Sequence, residues 1–527
     1  MSLRRLVVAT LVGTLGSLAA SAVPLGAQTP ASATTSPDSA HVTQQRPADD
    51  SSAQRDTGQH APLALATFDT AWQLIYERHF DTTFNGVDWM AVRAELRPRA
   101  AAARTTEELR AVIRDMLGRL HESHFALIPR EAADEMAPAA RAADSSHPSR
   151  DRAHDDASRA TISSDAAGGD SASRTGTSGA NATAAASGSG ERDGDVGMEL
   201  RLLGDRLRVW RVAPGSAAAA AGVRSGWELR AVDGQDVRAR VTAARTSLPP
   251  REAALEATLA TQQDLSGAPG SHVVLQFADA RGHKRTVTLA RTRTPGTIVK
   301  FGNLPPLPVH LERERRTTDG TTVGIIRFNI WMPVILPPFD SAMDAMRGAD
   351  GIIIDLRGNL GGLGAMVMGT SGHFLRTRVS LGSMKMRNGE LHFFANPRLV
   401  STTGTRVEPY DGPVAILVDG LTASTSEVFA GGMQSVGRAR IFGDTTAGAV
   451  LPALNQRLPN GDVLYHAVAE FITPDGVRLE GRGVIPDQIV PLSVADLAAG
   501  RDAVLDAAIR WIAAERASHH EESAPHP

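Results

Sequence analysis

The sequence predicts a multidomain α/β protein with a helical N-terminal domain, a β-rich middle domain and an α/β C-terminal domain. Three observations carry this. At 527 residues the chain is too long for one ordinary domain. Apolar residues recur at helical spacing between Phe68 and Leu120, at strand spacing around 207–212, and as short buried-type strands alternating with helices after about residue 321. Two stretches almost without large apolar side chains, 28–62 and 131–193, flank the first of these regions.

Composition narrows the function classes. With 55 Lys+Arg against 58 Asp+Glu the formal charge is -3, so the basic surplus that nucleic-acid binding needs is missing. The absence of Cys excludes disulfides, thiolate nucleophiles, Cys-ligated zinc or iron-sulfur sites and a lipoprotein anchor. Lys284, Lys300 and Lys385 are the only lysines.

Arg4 and Arg5 precede an apolar stretch over 6–18 and small residues up to Ala22 and Ala27, the pattern of a secretory signal peptide over 1–27, cut after Ala22 or Ala27. Gly, Ser and Thr interrupt the apolar stretch, which is short for a bilayer, and no other run is long enough to span one. The expectation is an exported protein, periplasmic or extracellular, with no stable membrane span after signal cleavage.

Residues 28–62 cannot offset their ordering entropy by burial and read as a flexible tether. The helical domain, 63–130, carries Phe68, Ala71, Trp72, Ile75 and Phe80, then Trp89 and Val92, then a helix opened by Thr105 and Thr106 with Leu109, Val112, Ile113, Met116, Leu117 and Leu120. In 131–193 Met136 and Ile162 are the only large aliphatic residues, so a disordered low-complexity insertion is expected. The middle domain, 194–292, has strands at 207–212, 273–277 and 286–289, a short Ala-rich helix before Gly222, a hairpin over 226–234 and an Arg/Ala-rich helical insertion over 237–265. The last domain, 293–517, has strands at 323–328, 351–356, 414–418 and 439–442, helices at 339–346 and 504–511, a helix running on to Gln434, and a hairpin across 459–462. The end, 518–527, holds Ser518-His519-His520-Glu521-Glu522 and reads as a solvated, flexible tail; no metal and no cofactor are expected.

Three motifs have chemical meaning. Ser424 stands where a buried strand gives way to a helix, so the helix N-terminal N–H groups can stabilise charge developing beside it; an ordinary N-cap is the competing reading. Asp355-Leu356-Arg357-Gly358-Asn359-Leu360-Gly361-Gly362 is a strand running into a Gly-rich turn. Its spacing, G-x-x-G-G-x-G, is not that of a dinucleotide fingerprint, and it suits close backbone approach to a substrate carbonyl. His121-Glu122-Ser123-His124 closes the helical domain; it is not the H-E-x-x-H of a zinc peptidase, and in isolation it reads as a structural, solvated pair.

Residues 194–292 resemble a PDZ domain of the bacterial protease type, through the 197–200 stretch, the APGSAAAAAGV approach and the GWELRAVDG hairpin. Such a resemblance implies that Gly197, Met198, Glu199 and Leu200 receive a peptide C-terminal carboxylate while the peptide adds a strand. A spacer that binds nothing is the alternative. Together with FNGVDWMAVRAELRPR, DLRGNLGG, TASTSEVFAGGMQ and GRGVIPDQIV, the chain from about Phe68 to Ala514 resembles the C-terminal processing peptidases, or tail-specific proteases. That implies a catalytic domain of the ClpP/crotonase-like type and Ser424 as nucleophile.

The lysine base of the main branch has no counterpart, since Ala449 stands at its place. The tricorn-core-like branch, with a Ser-His pair and a glutamate before G-x-G-x-x-P-D, is matched by Ser123, His124 and Glu480. The implied mechanism uses His124 as base, Ser123 supported by Glu480 to orient it, and N–H groups of Gly361 or Gly362 and of Thr425 as oxyanion donors. His466 is the reserve base. The implied activity is a serine endopeptidase acting on proteins or peptides with free C-termini; the alternative is a catalytically silent PDZ-containing scaffold. The sequence carries no signal for oligomeric state.

Overall fold

A computed structural model describes residues 52–135, 193–299 and 307–522. The signal peptide, the tether up to residue 51, most of the low-complexity insertion, Lys300 and residues 523–527 lie outside the described residues.

Helices α1 (Ser52–Arg78), α2 (Trp89–Ala102) and α3 (Thr106–Gly118) pack around Phe68, Trp72, Ile75, Leu96, Ile113 and Met116. Asp88 and Thr105 cap α2 and α3 by accepting the Ala91 and Glu108 N–H groups. Two boundaries differ from the sequence reading. Helix α1 starts at Ser52, inside the segment read as tether, because propagation from a packed helical turn costs far less than nucleation. After strand β1 (Ala126–Ile128), helix α4 (Arg130–Glu135) enters the segment read as disordered, where Ala132 and Ala133 are buried.

In the middle region, strands β2 (Met198–Leu203), β3 (Arg206–Val212), β4 (Glu228–Val232), β5 (His272–Ala278) and β6 (Lys284–Ala290) form an antiparallel sheet in that order. Helices α5 (Val237–Ser247) and α6 (Pro250–Leu265) lie between β4 and β5 and bury Val241 and Ala257 against Met198, Leu200, Val209 and Phe277. Asp193, read as the end of the insertion, is buried beside this sheet and its carbonyl accepts the Thr294 N–H.

The C-terminal region is mixed α/β. Among the described residues its main sheet has six strands, β7 (Leu311–Thr318), β8 (Thr321–Phe328), β9 (Gly351–Asp355), then β12 (Val414–Val418), β13 (Arg440–Gly443) and β17 (Gln488–Ile489), in that spatial order and parallel except for β7. Every residue of β9 and β12 is buried, as their unbroken apolar sequences require of strands covered on both faces. Alternation divides the core: Ile352, Ile354 and Ile416 face helices α7 (Leu336–Met346) and α8 (Thr425–Ser435), while Ile353 and Leu417 face α9 (Ala503–Glu522) through Ala508 and Ile512. Helix α9 runs past residue 517, so 518–522 are helical rather than tail.

Two small sheets complete the region. One joins β10 (Val379–Met386), β11 (Gly389–Ala395) and β16 (Ala469–Ile472). The other joins β14 (Ala453–Arg457), β15 (Val463–Ala467) and β1, which leaves the helical region to pair antiparallel with β15. That pairing is fastened by Arg110 of α3, which donates to both oxygens of the fully buried Asp462 at 3.0 and 2.6 Å. The residues just before β1, Ser123 and His124, are thereby brought onto the α/β region.

Candidate active site

The loop from β12 to α8 ends at Ser424, whose φ of 55° is unusual for a non-glycine residue. Such a conformation costs on the order of 1–3 kcal/mol and persists only where surroundings over-determine it. Here they do. The Ser424 N–H is shared between the Ala449 carbonyl at 2.9 Å and Glu427 Oε2 at 3.0 Å. Glu427, fully buried, also accepts the Thr446 hydroxyl and the Gly448 and Ala449 N–H groups. Burial pushes its carboxyl up to about 7 against these donors. Because every one of these partners donates to it, the geometry favours the ionised form. Ser424 Oγ is fully buried, without a hydrogen-bond partner among the described residues.

The glycine turn presses directly against this serine. A Cβ on Gly361, whose φ is 103°, would stand 2.6 Å from Ser424 Cβ, so only glycine fits. The Asn359 carbonyl accepts the Ala423 N–H at 3.1 Å, and the Thr425 hydroxyl donates to the Gly362 carbonyl at 2.7 Å. The Gly361 N–H, one of the expected oxyanion donors, donates instead to Asn359 Oδ1 at 3.0 Å and so serves the turn itself. The Gly362 and Thr425 N–H groups have no such acceptor among the described residues.

His124 is buried, with φ 63°, and its Nδ1 faces the Ser123 hydroxyl in a short hydrogen bond. The Ser123 N–H donates to Glu480 Oε1 at 2.9 Å, and Glu480 Oε2 accepts the Val450 N–H at 2.8 Å. Val450 follows Ala449, whose carbonyl takes the Ser424 N–H. One carboxylate therefore ties the Ser-His segment of the helical region to the backbone that holds Ser424. Burial pushes Glu480 up to about 6, with the Val450 and Ser123 hydrogen bonds pulling the other way. On the flank, Glu122 bridges His79 Nε2 at 3.0 Å and Arg478 at 2.8 Å.

The other candidates fall elsewhere. His466 is fully buried next to Tyr465 on β15, and strand alternation puts the two on opposite faces: the His124 ring lies 5.9 Å from Tyr465. Burial lowers His466 to about 4, with Arg78 and His79 adding to the effect. Lys284 and Lys385 are exposed on β6 and β10. Ala449 packs against Ala423.

The start of β2 also departs from expectation. The Gly197 N–H donates to Asp195 Oδ1 at 2.5 Å, and Asp195, its carboxyl pushed up by burial, also takes the Ser266 hydroxyl. The Leu200 N–H donates to Gln262 Oε1 at 3.2 Å while Gln262 Nε2 donates to the Met198 carbonyl at 2.8 Å. Backbone groups assigned to a peptide carboxylate and an added strand are thus met by the chain's own side chains. Met198 and Leu200 are buried in the core, and Glu199 pairs with Arg327 at 2.8 Å.

Sequence reasoning missed Glu427, although Ser424 and Glu427 have the Ser-x-x-Glu spacing of a capping box. It also missed α6 as a cover. Leu255 and Leu259 pack on Leu421 with Leu360 and Ala447 alongside, and Arg251 donates to the Gly481 and Arg482 carbonyls at 2.6 Å.

Residues 322–490 match Peptidase family S41, and residues 65–118 match the Tricorn protease C1 domain. The carboxyl-terminal-processing protease of Picosynechococcus sp. is 28% identical over 310 residues, covering 58% of this chain and 65% of that protein. That of Synechocystis sp. is 26% identical over 342 residues, covering 64% and 72%. The chloroplastic carboxyl-terminal-processing peptidase 1 of Arabidopsis thaliana is 26% identical over 305 residues, 55% of each chain. The match spans less than two thirds of the Picosynechococcus and Arabidopsis proteins. Among solved structures, the photosystem II D1 C-terminal processing protease superposes with a TM-score of 0.51 at 21% identity, over 85% of this chain and 96% of that one. Mature CPAF complexed with lactacystin gives 0.50 at 13%, over 86% and 98%, a likeness of fold. In fold, the mixed α/β region is similar to the photosystem II D1 C-terminal processing protease. Within this chain, the match to peptidase family S41 covers residues 322–490, the region that carries Ser424.

Proposed function

We propose that the chain is an exported serine endopeptidase cleaving protein or peptide substrates by a Ser-His mechanism. The observation that supports this best is the Glu480 carboxylate, which spans the Ser123 and Val450 N–H groups and so holds the His124 segment beside the backbone of Ser424. Ser424 Oγ attacks the scissile carbonyl while His124 takes its proton. The oxyanion is received by the N–H groups of Gly362 and Thr425, each such donor supplying on the order of 3 kcal/mol of barrier reduction. When the C–N bond breaks, His124 returns the proton to the leaving amine, and water then releases the acyl group by the same steps. Ser123 and Glu480 keep the imidazole oriented.

In the same reading the middle region is a PDZ domain that selects substrates by their free C-termini once Asp195 and Gln262 are displaced, and export follows from the apolar stretch after Arg5. The test is hydrolysis of an unfolded protein by the wild type, Ser424→Ala and His124→Ala. Both variants should fold and be inactive. Equal cleavage by wild type and Ser424→Ala defeats the proposal.

A further inference from the structure

The turn carrying Ser424 and the glycine turn meet at two levels. Near the nucleophile they are joined by Ala423 to Asn359 and by Thr425 to Gly362. At their outer ends one carboxylate joins them. Asp419 Oδ1 accepts the Gly358 N–H and the Leu421 N–H, both at 3.0 Å, and the Asp419 N–H is met by Thr422 Oγ1 at 2.9 Å. Its second oxygen, Oδ2, accepts Arg201 Nε of β2 at 2.6 Å. Arg201 lies over the Trp210 ring at 4.0 Å, with Arg357 of the glycine turn 5.0 Å from the same ring. A Cβ on Gly358 would come within 2.6 Å of the Arg201 guanidinium, so the glycine also clears the path of this ion pair.

We infer that Asp419 is a positioning residue for the reaction: it sets the glycine turn against the Ser424 turn, so that the Gly362 and Thr425 N–H groups converge on one oxygen, and it anchors both turns to the middle region through Arg201. The inference rests on Ser424 being the nucleophile. Two N–H donors and one guanidinium converge on a carboxylate whose side chain is only 17% exposed. Charge-assisted bonds of this kind are shorter and stronger than neutral ones, and they act beside one neutral link at that end, the Thr422 hydroxyl donating to the Leu356 carbonyl at 2.9 Å. Asp419 touches no reacting atom, so its effect is on the rate of the acylation step rather than on ground-state binding.

The experiment measures covalent labelling of the full chain by a fluorophosphonate probe, together with kcat and KM on a cleaved peptide, in wild type, Asp419→Ala, Asp419→Asn and Arg201→Met. Labelling rates are taken per folded molecule from thermal melts. Asp419→Ala should label about a hundredfold more slowly, the loss expected of a misplacement near 1 Å, with kcat reduced and KM unchanged. Asp419→Asn keeps an Oδ1 acceptor for Gly358 and Leu421 but loses the charge pair, and should be only several-fold slow, as should Arg201→Met. If Asp419→Ala does not fold, Asp419→Asn decides: a several-fold fall in kcat at constant KM supports the inference, and a wild-type rate overturns it. Wild-type labelling by Asp419→Ala, or a loss confined to KM or to thermal stability, also overturns it. A wild-type chain that takes no label at Ser424 defeats the reading beneath the inference, and the role of Asp419 falls with it.

Discussion

At the head of α8, the Gly362 and Thr425 N–H groups have no acceptor among the described residues, and Ser424 Oγ has no hydrogen-bond partner there. At the start of β2, the Gly197 and Leu200 N–H groups, which the resemblance assigns to a peptide carboxylate and an added strand, are accepted by Asp195 and Gln262. Both are backbone sites built from a glycine and a chain turn, and sequence pattern alone treats them alike. The difference lies in what packs nearby. At Ser424 the neighbouring polar side chains, Glu427, Asn359 and Asp419, hold the surrounding backbone. At β2 the neighbouring side chains enter the site. A peptide taking the β2 edge must exchange its own carboxylate and amide for these, so its net affinity is the difference between two similar sets of hydrogen bonds.

The largest expected effect is at the first site. His124→Ala should lower kcat/KM by about four orders of magnitude with the fold preserved, which kinetics and circular dichroism would check. Next is Asp462→Ala, which leaves the Arg110 guanidinium with only the exposed Glu131 and Glu107 as partners and should cost on the order of 3 kcal/mol in denaturant unfolding, loosening the helical region from β15. Glu480→Gln should cost up to about a hundredfold in kcat by misplacing Ser123 and His124.

The pH profile sharpens the last case. Burial raises Glu480 to about 6, so the carboxylate that accepts the Ser123 and Val450 N–H groups is lost as pH falls through that value. The wild-type acid limb should therefore include the protonation of Glu480, and Glu480→Gln should remove that component. An unchanged slope would remove Glu480 from the mechanism. The smallest effect is at the second site: Gln262→Ala, which frees the strand-edge groups of Leu200 and Met198, should tighten binding of a peptide to the full chain by about 1 kcal/mol, near fivefold. No change there would place peptide binding away from the β2 edge.

How much of this was legible in the sequence depends on the range of the interaction. The three-region order, the buried strands β9 and β12 and the strand-to-helix place of Ser424 follow from local pattern. Ser123, His124 and Glu480 are far apart in the chain, and only a family resemblance suggested them; their meeting depends on β1 pairing with β15, a three-residue strand with no sequence signal of its own. The commitment of Gly361 to Asn359 and the entry of Asp195 and Gln262 into the β2 site were not legible, because they depend on side-chain rotamers and on how α6 packs. The helical starts and ends at Ser52, Glu135 and Glu522 were missed because low hydrophobicity argues against burial but not against continuing a helix already formed.

The most direct test of the central claim is to label the full chain with a fluorophosphonate and map the adduct by mass spectrometry, in wild type and in His124→Ala. The account predicts a single adduct on Ser424 in the wild type and labelling slower by at least about a hundredfold in His124→Ala. An adduct on Ser426 or Ser123, or an undiminished rate in His124→Ala, would contradict it.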